Sequence, residues 1–186
     1  MPQQKKTTPK QRRQRTICIP DYGDLLTVTD RSHLHLTVAA VVCYQDKFLL
    51  VEEIDKQSGR RVLNQPAGHV EADEDLHSAV CRELYEETGL KLSPSGWLGI
   101  SQLLAANGHR YVRTNFYFDL HEQPKPHQPL DKDILALHWL SQTELQKHSL
   151  PARSQLVLDA INDFLHGPKL ALSLIKSPVS AVPVQK

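Results

Sequence analysis

The sequence predicts an α/β domain in which a mixed sheet lies between helices. Three observations carry that expectation. Strand-like apolar runs stand both before and after a single stretch of helical period, and two further helix signals follow near the end of the chain.

HLHLTVAAVVCY, residues 33–44, begins with alternation and becomes continuously apolar, as a strand buried on both faces does. QDK, 45–47, reads as a tight turn into a second strand, FLLVEEI, from Phe48 to Ile54. KQSGR is a loop, and RVLN a brief extended piece before Pro66. From Asp75 the period changes: Leu76, Val80 and Leu84 recur every fourth residue and form an apolar stripe on a helix. Asp75 suits its N-cap, and Gly89 stands where a left-handed C-terminal residue is wanted. WLGISQLLA, YVRTNFYFDL and ILALHWL are rich in β-branched and aromatic residues and read as strands. Ser141 and Glu144 form a capping box that opens a short helix. Pro151 suits the first turn of a last helix that ends near Gly167.

Composition sets the flanks apart. The chain has 186 residues and 40% hydrophobic content, enough for one domain with a core. Residues 1–16 hold Lys5, Lys6, Lys10, Arg12, Arg13 and Arg15 and no acid; against a whole-chain charge of +1, those six positives leave −5 on the rest. The expected organisation is a basic, disordered arm over 1–33, a folded domain over 34–166 and a tail over 167–186, which is also expected to be disordered. Cys18, Cys43 and Cys81 match neither a disulfide framework nor a metal-binding CxxC; Cys43 and Cys81 read as small core residues in a reducing compartment. No apolar run is long enough to span a membrane, and no signal peptide follows the basic arm, so a cytoplasmic location is expected.

The chemistry concentrates in GHVEADEDLHSAVCRELYEETGL, residues 68–90. Glu83, Glu86 and Glu87 share one helix face, where three carboxylates repel unless protonated or bound to cations. Arg82 can pair with one of them and fix its rotamer, and Glu74 can reach back to the same network. Gly68 lets the backbone approach closely, and its carbonyl can add a further hard ligand. An oxygen-only set of this kind suits Mg²⁺ or Mn²⁺ rather than zinc. Divalent ions so held bridge phosphate oxygens and acidify bound water, and a remaining glutamate can take the proton.

The segment resembles the Nudix box, G-x5-E-x7-R-E-U-x-E-E-x-G-U with U aliphatic. Gly68, Glu74, Arg82, Glu83, Leu84, Glu86, Glu87, Gly89 and Leu90 fill every defined position. The resemblance implies the Nudix α/β/α sandwich over roughly residues 34–166. NQPAGH ahead of the box is similar to the NudJ-type phosphatases of the family. That similarity implies release of orthophosphate from nucleoside tri- and diphosphates, from thiamine diphosphate and from its hydroxymethylpyrimidine diphosphate precursor. It also implies that Glu83, Glu86 and Glu87 hold Mg²⁺ with the Gly68 carbonyl, and that Arg82 and Glu74 orient the catalytic face. Glu83 is the candidate base, and Asp131 or Asp133, ahead of ILALHWL, a candidate auxiliary acid.

Arg113 is a candidate phosphate ligand, with Arg110 and Arg61 behind it. Tyr111, Phe116 or Trp97 can stack on a base or pyrimidine ring, although core packing suits Phe116 and Trp97 better. His33 and His35 alternate on a strand but have no third ligand nearby in sequence, so they are expected to be surface or core histidines. His69, beside Gly68, is placed in the active site. The expected partners are small phosphorylated metabolites, with a weaker electrostatic pull on nucleic acid from the basic arm. Two other functions stand beside the leading one: a nucleotide or RNA 5′-end pyrophosphohydrolase, and a non-catalytic nucleotide-sensing module.

Overall fold

Eleven consecutive residues on β1, Leu34–Tyr44, explain how the sheet is covered on both sides. Val38, Ala40 and Val42 point into one apolar cluster with Leu49, Ala79, Val80, Leu84, Phe116 and Phe118. Val41 and Cys43, from the alternate positions, join Phe48, Leu50, Leu63, Leu98, Val157, Ile161 and Phe164 on the other face. A strand that feeds two cores has no position left for a polar residue, hence the unbroken VAAVVC.

The computed structural model describes residues 33–122, 124 and 128–176. The arm expected to be disordered, as far as residue 32, lies outside them, as do Cys18 and residues 177–186. The element order is β1, β2 (Lys47–Ile54), β3 (Arg61–Asn64), β4 (Ala67–His69), α1 (Leu76–Thr88), β5 (Gly96–Leu104), β6 (Arg110–Leu120), β7 (Ile134–Leu140), α2 (Gln142–Lys147) and α3 (Gln155–His166). The strands form one seven-stranded sheet in the order β3-β2-β1-β6-β5, with β4 also on β1 and β7 also on β2. β1 and β6 run parallel over their whole length and the other named strand pairs antiparallel, so the sheet is mixed. The α1-side cluster and the α3-side cluster complete the expected layered α/β arrangement.

The local signals act as their chemistry requires. Asp75 caps α1 by accepting the Ser78 N–H at 2.7 Å, and Gly89 takes the left-handed conformation at φ 76°. The Ser141–Glu144 capping box is present in both directions. Gln45 and Asp46 both have positive φ, the backbone of a two-residue hairpin turn whose twist matches the strands. Cys43 is buried, which pushes its thiol up to about 11, and Cys81 is half-buried; both are free thiols.

Two expectations are corrected. Pro151 does not open the last helix, which starts at Gln155. Residues 151–153 instead run beside β3: the Leu63 N–H donates to Pro151 O (2.9 Å), and the Arg153 N–H donates to Leu63 O (2.8 Å). The buried backbone of Leu63 needs those partners, and this requirement outweighs the helix preference of Pro151. Nor is the start of the tail unstructured. Leu170 exchanges backbone hydrogen bonds with Trp97 (3.1 and 2.9 Å), and Leu172 and Ile175 pack against the α1-side cluster. The segment pairs with the edge strand β5 at Trp97 and partly buries Leu172 and Ile175. Among the described residues no helix is long and apolar enough to cross a membrane.

Candidate active site

α1 places its carboxylates by simple helical geometry, and one guanidinium arranges three of the acids. Arg82 donates from Nε to Glu74 Oε2 (3.0 Å) and from Nη2 to Glu74 Oε1 (2.6 Å). Its Nη1 donates to Glu83 Oε1 (2.8 Å) and to Glu86 Oε2 (3.1 Å), and its Nη2 also donates to the His69 carbonyl (3.1 Å). All five N–H groups of the side chain are used, so Arg82 has a single orientation. That bidentate contact holds the Glu74 carboxyl below its ordinary value, and Glu74 raises Arg82 in return. Glu83 goes the other way: burial raises it more than Arg82 lowers it. The side chain of Glu86 is about half exposed.

Glu87 has a different setting. It is 9% exposed and accepts the Ala67 N–H at 3.0 Å, while Arg82 bonds the other three acids. Burial, helped by repulsion from Glu83, Glu53 and Asp131, pushes its carboxyl up to about 9. Gly68 sits against Glu83 so closely that an added Cβ would collide with the carboxylate. A crowded, partly buried set of carboxylates beside a bare backbone is the donor set of a hard divalent cation, so the residues fit Mg²⁺ or Mn²⁺. Among the described residues no three such side chains already surround one point. Arg82 draws Glu83 and Glu86 towards its own guanidinium.

A cleft of about 1010 Å³ opens beside this face, lined among others by Gly68, His69, Glu83, Glu87, Tyr111, Arg113, Asp131 and Asp133. Arg113 is 5% exposed and donates from Nη2 to Gln65 Oε1 (2.8 Å), while its Nε has no hydrogen-bond partner. Burial, with Arg153 adding like-charge repulsion, lowers it to about 10. Gln65 is fixed in turn by donating to Val157 O (2.8 Å). Loop 128–133 is fastened over the end of α1, where the Leu130 and Asp131 N–H groups donate to Glu86 O (2.8 and 2.9 Å). That contact explains why Asp131 acts on Glu87, whereas Asp133 pairs with Lys56 at 3.0 Å.

Not every residue singled out in the sequence comes to the cleft. Arg61 does not line it; it pairs with buried Glu52, which also meets His138 at 2.9 Å, and the substrate-binding expectation for Arg61 is corrected on that ground. A buried carboxylate on β2 needs a cation, and the facing strand β3 supplies it. Arg110 is likewise outside the lining, Phe116 is fully buried, and Trp97 packs on the α1-side cluster. The structure joins His33 and His35 to His109 and His69.

Three lining residues, Glu53, Asn64 and Arg153, carry no signal in the sequence, and neither does Gln65 behind them. Glu53 accepts from Asn64 (3.0 Å) and from Arg153 (2.8 Å). The one available hint is NQ before Pro66, two polar residues where the chain is buried.

The match to a family model describes a NUDIX domain over residues 33–161, more than half of the chain. The chain belongs to the Nudix hydrolase family. It is 42% identical to Phosphatase NudJ of Shigella boydii over 141 residues, 76% of this chain and 90% of that protein. Against Phosphatase NudJ of Escherichia coli K12 the identity is 41% over the same shares. A solved Nudix hydrolase from Nitrosomonas europaea superposes with a TM-score of 0.69 at 36% identity, covering 76% of this chain and 95% of that one. The MutT Nudix hydrolase of Burkholderia pseudomallei, 22% identical with a TM-score of 0.59 over 70% and 97% of the two chains, shares the fold. This Nudix enzyme is of the NudJ phosphatase type.

Proposed function

We propose that this Nudix enzyme removes the terminal phosphate from nucleoside tri- and diphosphates and from thiamine-type diphosphates, hydroxymethylpyrimidine diphosphate and thiamine diphosphate included. Mg²⁺, or Mn²⁺ in its place, would be held by Glu83, Glu86, Glu87 and the Gly68 carbonyl. When bound, it neutralises phosphate charge and lowers the pKa of coordinated water.

The observation that carries the reading is the pairing of unlike charges in one cleft. Buried Glu87 and buried Arg113, the latter with an unpartnered Nε, both line it. A phosphate with divalent cation satisfies both, because the carboxylate takes the cation and the guanidinium takes the anion.

Each residue then has a task. Arg82 and Glu74 fix Glu83, which accepts the proton of the attacking water. Arg113, held by Gln65, binds the phosphate that departs. Tyr111 and His69 face the organic part of the substrate. Asp131, tied to the end of α1, is the auxiliary acid, and Asp133 stands behind it.

Phosphorus NMR of an early time point with a nucleoside triphosphate and Mg²⁺ tests the bond broken. Diphosphate with orthophosphate is expected. Pyrophosphate as the first product overturns the terminal-phosphate reading and favours a nucleotide pyrophosphohydrolase instead.

A further inference from the structure

Four imidazoles stand in line and reach the cleft at His69, brought together by the start of β1, β4 and the turn before β6. His33 Nδ1 lies 3.0 Å from His109 Nε2, His109 Nδ1 lies 2.7 Å from His35 Nε2, and His35 Nδ1 lies 3.1 Å from His69 Nε2. The His35 ring also stacks on Tyr111, with centroids 4.7 Å apart. The chemistry of the carboxylate face uses none of His33, His35 and His109.

We propose that His35 and His69 form a second cation site at the cleft rim, one that takes a borderline divalent ion such as Zn²⁺ or Ni²⁺ rather than Mg²⁺. The proposal does not depend on which phosphate bond the enzyme cleaves. Two nitrogens held about 2.1 Å from one ion stand about 3 Å apart at a right angle and about 3.4 Å apart at a tetrahedral one, and the His35 Nδ1–His69 Nε2 separation of 3.1 Å falls within that range. The 2.7 Å contact between His35 and His109 is shorter than that and is a hydrogen bond. Imidazole nitrogen suits Zn²⁺ and Ni²⁺, while Mg²⁺ keeps to oxygen. Because among the described residues no three such side chains surround one point, the site is a two-histidine bite with its other positions open to water or phosphate oxygen.

Proton placement decides how many ions the line holds, and the position of the cleft decides which end binds. With the ion on His35 Nδ1, that ring keeps its proton on Nε2 and donates to His109 Nδ1. His109 then donates from Nε2 to His33 Nδ1, so each ring stays neutral with one proton. The line thereby orients His35 in the way that outer partners orient metal-bound histidines. An ion on His33 and His109 at the same time would require a ring with no proton at all, so one ion binds per chain. His69 lines the cleft, which places the occupied end beside the substrate.

The test is a Zn²⁺ titration of the ¹⁵N-labelled full chain in saturating Mg²⁺, following the histidine ring nitrogens by NMR. The expected result is one Zn²⁺ per chain here, with the main shifts at His35 Nδ1 and His69 Nε2. His35→Ala and His69→Ala should each weaken binding at least tenfold, and His109→Ala, which keeps both ligands, only a few-fold. Glu83→Gln should leave Zn²⁺ binding unchanged, separating this site from the carboxylate face. The proposal is overturned if equimolar Zn²⁺ moves no ring nitrogen of these two residues, if it moves His33 and His109 instead, or if folded His35→Ala and His69→Ala bind as the parent does.

Discussion

The helix part and the strand part of the site are built by different means. The helix part, Arg82, Glu83, Glu86 and Glu87, comes from two turns of α1, with Glu74 just ahead of its cap. The strand part of the lining, His69, Tyr111 and Arg113, comes from β4 and β6, joined through the β1–β4 and β1–β6 registers. Thr37 pairs with both His69 and Arg113, so one β1 position aligns residues 44 apart in sequence. A site made by one helix keeps its geometry as long as the helix forms. A site made by strand pairing is only as good as the register. Substitutions should therefore act on chemistry at the helix side, and on substrate fit or stability at the strand side.

Glu87→Gln should give the largest effect. The amide can still accept the Ala67 N–H, so the fold is kept, but the charge is gone. A loss of about a hundredfold or more in kcat, about 3 to 4 kcal/mol of transition-state stabilisation, is expected with saturating Mg²⁺. Normal turnover by this variant would return α1 to a merely acidic surface.

The same residue predicts a pH dependence. In chelator, its carboxyl rises from an ordinary 4.5 to about 9 on folding, so the folded state holds the proton more tightly than the unfolded one. The stability this contributes is present at low pH and is lost as pH rises from about 4.5 through 9. Melting temperature in chelator should fall across that window in the parent and stay flatter in Glu87→Gln. Equal slopes would show that the carboxylate is solvated.

Arg113→Lys keeps a charge but not the forked donors that reach Gln65 and the cleft together. A drop in kcat/KM of about tenfold to a hundredfold is expected, in the range of one or two charge-assisted hydrogen bonds. Steady-state kinetics with unchanged kcat/KM would put the guanidinium out of substrate reach. Glu74→Gln, which loosens Arg82 without touching substrate, should cost about tenfold in kcat, one charge-assisted hydrogen bond's worth. A loss as deep as that of Glu87→Gln would make Glu74 a ligand in its own right.

Arg61→Ala should leave turnover alone and lower stability by about 1 kcal/mol, since its side chain is half exposed and His138 still faces Glu52. Chemical denaturation alongside a kinetic assay separates this from a substrate role, which a raised KM would reveal.

The helix side is legible in the sequence because helical spacing is a local property. Glu83, Glu86 and Glu87 share a face by their numbers alone, and Asp75 and Gly89 mark where the helix starts and stops. The strand side is legible only in pieces. His69, Tyr111 and Arg113 stand out by type, while Arg61 looks equivalent to Arg113 until β3 pairs it with Glu52. Gln65 and Glu53 carry no spacing signal, because each acts on a partner far along the chain.

What the sequence determined by itself was the set of elements, the double-faced core strand and the carboxylate face. Each follows from the side-chain period of two or 3.6 residues and from end residues with fixed backbone preferences. Tertiary structure alone decided that four histidines meet, that Arg113 is buried while Arg61 is not, and that residues 151–153 extend the sheet beside β3 instead of opening a helix. It also decided that Leu170 of the tail pairs with Trp97 on β5. Those outcomes depend on which strand lies beside which, and on unpaired backbone and charge finding partners across the fold. No local period encodes that.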